Sequence, residues 1–280
     1  MDLASLGHAR MMAAERAVWG AVNGMEEISE DLAAEQGALE SVVTGLDDEG
    51  WSTPTAAAGW DVRETIVHVA FYDDTARLAI VDPAAFAELL DRALRGGVDV
   101  PAAHAHLSGP EVFAWWQEAR AGLLRALGPL DAKDRIPWFG PPMSARSFAT
   151  ARLMETWSHG WDVAEALGRP DPPTDRLRHV AHLGVVTRGW SYAVRGRPAP
   201  EEPVRVELKA PSGARWTWGP EEVADVVRGP ALDFCLAVTQ RRPVEATDLE
   251  VIGPLARDWM SIAQAFAGVA TITDPDRSPS

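Results

Sequence analysis

The sequence predicts an α plus α+β protein: an N-terminal antiparallel four-helix bundle with extra helices, then a small α+β domain. Three observations carry this. Apolar residues recur at helical spacing through most of the chain ahead of Arg195. The Pro-rich stretch "RGRPAPEEP" then interrupts that pattern as a linker would. Beyond it "VRVELKA" alternates apolar and polar residues and turns through "PSGA" into "RWTW", a hairpin signature. The expected organisation is an extension over residues 1–24, a helical bundle over 25–195, a linker over 196–202, a small α+β domain over 203–270 and a disordered tail over 271–280.

Each element follows from local signals. From Met25 to Gly50 there are nine acidic residues and no basic one, while Ile28, Leu32, Leu39, Val42, Val43 and Leu46 keep helical spacing. That is an amphipathic helix with an acidic outer face. In "GWDVRETIVHVAFYDDTARLAI", Asp61 and Glu64 have the layout of a capping box, so a second helix starts there and carries His68. A shorter helix after Pro83 stops at Gly96 and Gly97, and Pro101 to Leu107 reads as loop. Ser108 and Glu111 can cap the next helix, which Gly128 and Pro129 end. The loop "IPWFGPPMS" leads into a long helix from about Phe148 to Leu167, and a further helix from about Asp175 to Val194 completes an up-down bundle. In the second half "ADVVRG" suggests a third strand, while "PALDFCLAVTQ" and "LARDWMSIAQAFAG" have helical spacing.

Composition narrows the function. A chain of 280 residues with 46% hydrophobic residues can bury a sizeable core. Its net charge of -15 repels polyphosphate and argues against nucleic acid or an anionic membrane as partner, which leaves a small molecule. The single cysteine, Cys235, excludes an internal disulfide and any Cys-based zinc site, and fits a reducing cytoplasm. No apolar run is long enough to span a bilayer, and the apolar stretch at the start is too broken for a signal peptide.

"METWSHGWDV" holds the chemistry-bearing pattern. Glu155 and His159 are four residues apart, so on a helix they share a face and can converge on one ion. A catalytic divalent ion takes three protein ligands and keeps one position open, and two histidines with a carboxylate are a usual set. In an antiparallel bundle His68, mid-way along its helix, can face this pair. Asp162, three residues beyond His159, can accept the other N–H of that imidazole. Such pairs also occur as polar stripes, and a histidine among apolar neighbours is commonly a hydrogen-bonded core residue, so spacing alone leaves the choice open. His179 and His182 read as a surface pair, and Asp73 and Asp74 as solvated.

"GWDVRETIVHVAFYD" and "ETWSHGWDVAEALGR" resemble the two signature helices of the DinB-like metal-binding superfamily, in the branch that includes mycothiol-dependent maleylpyruvate isomerase. The segment from "VRVELKA" through "AVTQRR", with "WMSIAQAFAG", resembles the C-terminal region of an actinobacterial metal-binding subgroup related to wyosine-base-formation proteins. The likeness spans roughly Met25 to Gly268. It implies a metal triad of His68, Glu155 and His159, and a low-molecular-weight thiol, mycothiol, as cosubstrate. Cys235, in an apolar helical setting, reads as buried and inert, so the nucleophile has to be brought in.

What the resemblance implies is a divalent-metal-dependent S-transferase, with zinc as the expected metal, acting on an electrophilic small molecule. Asp162 and Arg241 take catalytic roles, and Tyr72, Trp157 and Arg242 contact substrate. The two arginines suit a carboxylate, because a guanidinium matches it with two hydrogen bonds; a charge at a helix C-terminus is the plainer reading. Maleylpyruvate-type isomerisation, metal-dependent hydrolysis and a non-catalytic binding module are the alternatives.

Overall fold

The structure, a computed structural model, describes residues 24–96, 100–169 and 171–268. The expected extension, apart from Gly24, and the expected tail lie outside the described residues. The chain divides into one unit over Asn23–Asp171 and another that takes Pro172 onward, and each is described by itself.

The first unit is helical. It comprises α1 (Gly24–Val43), α2 (Asp48–Trp51), α3 (Val62–Val81), α4 (Pro83–Gly96), α5 (Val100–Ala103), α6 (Gly109–Leu127) and α7 (Ala145–Ala166). Helix α1 stops short of the expected Gly50 because Gly45 takes a φ of 74°, a left-handed conformation that glycine adopts at little cost. The chain restarts as α2, where Asp47 Oδ1 accepts from the Gly50 N–H at 2.9 Å. The capping box of α3 is present: Glu64 N donates to Asp61 Oδ1 at 2.7 Å and Asp61 N donates to Glu64 Oε2 at 3.1 Å. Ser108 and Glu111 form a second box at the start of α6. Helix α7 begins ahead of Phe148 because Ser144 caps it, accepting from Ser147 N at 3.2 Å.

The segment read as a loop between α6 and α7 contains a small antiparallel ladder, β1 (Arg135–Ile136) with β2 (Met143–Ser144). Its tip holds Trp138 stacked on buried Phe86, with ring centroids 5.7 Å apart.

Packing arranges the four long helices as two pairs. Helix α3 lies extensively against α6, and α1 against α7, whereas α3 and α7 meet over a narrower seam. One carboxylate crosses it. Asp73 on α3 is fully buried and accepts from Gln36 Nε2 on α1 (3.2 Å), Trp116 Nε1 on α6 (3.2 Å), and Arg152 Nε and Nη2 on α7 (3.2 and 3.0 Å). Burial pushes the Asp73 carboxyl up, and these donors pull against it. The expectation that Asp73 is solvated is therefore wrong. Asp74, about 100° further round the helix, does face solvent and pairs with Arg77 at 2.9 Å.

The second unit comprises α8 (Leu177–Val186), α9 (Arg188–Ala193), β3 (Arg205–Lys209), β4 (Arg215–Trp218), β5 (Val226–Pro230), α10 (Ala231–Val238), β6 (Glu250–Ile252) and α11 (Pro254–Ile262). The sheet order is β4-β3-β5-β6. The expected hairpin pairs Val206 with Trp218, and β5 joins β3 in parallel, with Val206 opposite Val227. Strand β6 is too short for alternation to reveal. The region assigned to the bundle at 175–194 instead forms α8 and α9, and α8 packs on α10. Gly184 permits that approach, since a Cβ there would stand 2.8 Å from Val238.

His179 and His182 are buried rather than a surface pair, and Trp218 Nε1 donates to His182 Nδ1 at 3.3 Å. Cys235 is fully buried against the Leu177 carbonyl (Sγ to O 3.5 Å), and burial pushes its thiol well above the usual range, as an inert cysteine requires. Among the described residues no helix is long and apolar enough to cross a membrane.

The α3 capping box supplies a stability test. Asp61→Ala leaves the Glu64 N–H unsatisfied and is expected to cost about 1 kcal/mol, read as a lower urea midpoint with unchanged slope.

Candidate metal centre

Helix α3 brings His68 and α7 brings Glu155 and His159 to one point. One ligand atom from each lies within 4.8 Å of the other two. His159 Nε2 stands 3.5 Å from Glu155 Oε2, as i and i+4 positions on one helix allow. The two imidazole centroids, from different helices, are 4.5 Å apart. His159 is buried, while His68 and Glu155 are half-buried, so the cluster is open on one side to something small.

Charge and orientation suit a cation. Burial pushes the Glu155 carboxyl up, but the His159 hydrogen bond and charge, with Arg152 and His68, bring it down to about 2. It is therefore ionised at any physiological pH. On the far side of the ring Asp162 Oδ2 lies 3.5 Å from His159 Nδ1, while Nε2 faces Glu155. Two imidazole nitrogens and an ionised carboxylate form a donor set that fits a divalent ion with a position to spare.

Aromatic rings flank these ligands. Tyr72, one turn along α3, has its ring 4.7 Å from that of His68. Burial, with the Glu155 charge, pushes its phenol up against the pull of Arg152, so it stays protonated near neutrality. Trp60 packs on both imidazoles, 5.0 Å from His68 and 6.1 Å from His159 between centroids. The sequence reading missed Trp60. Its signal is its place just before the α3 cap, where Thr55 N donates to the Trp60 carbonyl at 2.9 Å and fixes the turn.

Other expected site residues sit elsewhere. Trp157 lies two residues from Glu155 on α7, a spacing that points to a different face, and its buried ring is 6.2 Å from Trp161. Arg241 and Arg242 belong to the second unit. Their N–H groups donate to the Leu236 carbonyl at 2.8 and 3.2 Å, and Arg241 Nη1 donates to the Thr239 carbonyl at 2.8 Å, closing the C-terminal turn of α10.

Residues 32–164 match the family described as mycothiol maleylpyruvate isomerase N-terminal domain, and residues 200–251 match wyosine base formation. The uncharacterized proteins MT0041 and Rv0036c, from two strains of Mycobacterium tuberculosis, are each 46% identical over 242 residues, covering 85% of this chain and 94% of theirs. A crystal structure of a mutant mycothiol-dependent maleylpyruvate isomerase is similar with a TM-score of 0.52 at 15% identity, over 81% of this chain and 92% of that one. This chain belongs to one family with those two mycobacterial proteins. The stretch matched to the isomerase N-terminal domain contains the triad, Asp162, Tyr72 and Trp60, and the wyosine match contains Arg241 and Arg242.

Two measurements test the centre. Metal analysis of the purified protein should find about one divalent ion per chain, and His159→Ala should remove it. Metal uptake should fall as the solution is acidified, because protons compete for imidazole nitrogen. Glu155, with its carboxyl down at about 2, stays ionised there, so the loss should follow histidine protonation alone.

Proposed function

We propose that this chain is an enzyme that joins a low-molecular-weight thiol, mycothiol, to an electrophilic small molecule at a divalent ion, zinc, held by His68, Glu155 and His159. The observation that carries this reading is the convergence of those three donors from two helices within 4.8 Å. The match of residues 32–164 to the mycothiol maleylpyruvate isomerase N-terminal domain supports the choice of thiol. The buried Cys235 supports a nucleophile brought from outside, and its single sulfhydryl suits a reducing cytoplasm.

A divalent ion there supplies positive charge that lowers the pKa of a bound thiol, giving a thiolate near neutral pH. The chain's own groups do the rest. Glu155 and the two imidazoles hold the charge in place, and the Asp162 carboxylate lies behind the His159 ring, where it favours positive charge on the ligand side. Trp60 and Tyr72 wall the approach, and the protonated Tyr72 phenol is a donor for negative charge that develops on an electrophile's oxygen. In the step itself the thiol proton leaves to solvent, the new C–S bond forms at the electrophilic carbon, and the displaced electron pair moves to the substrate oxygen or leaving group. Release of the adduct makes a transferase; collapse with loss of the thiol makes an isomerase of the maleylpyruvate type, the second reading, which the family match favours.

Mass spectrometry decides between these. The metal-loaded protein with mycothiol and a reactive electrophile should yield an S-conjugate or a thiol-dependent isomer, and turnover that persists without any thiol would reject the proposal. His68→Ala should lower kcat/KM by about a hundredfold or more, as loss of one metal ligand does. Trp60→Ala should chiefly raise KM, since its ring packs beside the ligands without holding the ion.

A further inference from the structure

The metal triad straddles the seam between the two helix pairs, because His68 rides on α3, which is packed on α6, while Glu155 and His159 ride on α7, which is packed on α1. Something has to fix the register of α3 against α7. The buried polar cluster around Asp73 lies on that same seam. Asp73 is five residues beyond His68 on α3, and Arg152 is three residues before Glu155 on α7, as an antiparallel crossing requires. At about 1.5 Å of rise per residue the cluster sits roughly 7 Å along α3 from the ligand. It also reaches the site through one ring: the Arg152 guanidinium carbon is 6.0 Å from the centroid of Tyr72, which packs against His68.

We propose that Asp73 and Arg152 are positioning residues for the metal centre: one buried carboxylate draws a donor from each of the other three bundle helices and sets His68 opposite Glu155 and His159. The inference rests on the metal-centre reading above. A buried ion pair is a poor means of gaining stability, since apolar residues of similar volume often do as well or better. What it does supply is direction. Arg152 meets Asp73 through both Nε and Nη2 and Gln36 reaches the other oxygen, so sliding the α3–α6 pair against the α1–α7 pair by one residue breaks all three of these hydrogen bonds. An apolar seam tolerates such a slide far better, and metal ligation does not.

The test separates register from stability. The double variant Asp73→Leu/Arg152→Met removes both charges together, avoiding a stranded buried ion, and should melt cooperatively near the temperature of the unaltered protein. Its Zn²⁺ affinity, read by competition with a chromogenic chelator, should fall about tenfold or more. Arg152→Lys, which keeps the charge but not the two-point contact, should be intermediate. A folded double variant that binds Zn²⁺ as tightly as the unaltered protein would overturn the proposal. Should the double variant not fold, Gln36→Met deletes the α1 donor at little change in volume, and undiminished Zn²⁺ affinity in it would overturn the proposal equally. If the unaltered protein takes up no Zn²⁺, the metal-centre reading falls and this one with it. If His159→Ala abolishes uptake while the seam variants bind normally, positioning alone fails.

Discussion

A carboxylate with no access to water sits within the first unit, carried by α3 and satisfied by donors from the other three long helices. A buried carboxylate is tolerable only where donors replace its hydration, so Asp73 constrains the bundle more than any apolar contact does. Leucine against isoleucine accepts many offsets; a guanidinium aligned on one oxygen and an indole and amide on the other accept very few. The open cluster of His68, Glu155 and His159 lies next along the same seam.

Electrostatics in the cluster runs in a consistent direction. Carboxylates sit on both sides of His159, with Glu155 toward the ligand point and Asp162 behind the ring. This gives the cluster net negative charge of the kind a cation offsets. The rings of Trp60 and Tyr72 both pack on His68, so the polar cluster has apolar margins. A site of that composition keeps its charge concentrated at one point and leaves the surrounding surface suited to the carbon skeleton of a substrate.

Much of this was legible in the letters, for physical reasons that can be named. Capping boxes involve side chains three residues apart and nothing else, so Asp61 with Glu64 and Ser108 with Glu111 could be read locally, and the structure has both. The Glu155 and His159 spacing was equally visible, but whether His68 met them depended on a crossing that no local pattern encodes, and only the family likeness suggested it. Asp73 and Asp74 are identical neighbours in sequence; burial of one and exposure of the other follow from helix rotation against partners far along the chain. Trp60 escaped notice because its role comes from the turn that carries it rather than from any spacing to the ligands. Helices α8 and α9 have the same period as the bundle helices, and periodicity cannot say which layer an amphipathic helix covers.

The interior location of Cys235 has a chemical corollary. Reactive electrophiles alkylate thiolates, and oxidised small thiols capture them as mixed disulfides. With its one sulfhydryl sealed behind α8 and held in the neutral form, the chain offers neither class of reagent a target on its own cysteine. Self-poisoning by that route is closed, and reducing agents have no disulfide of the chain's own to act upon.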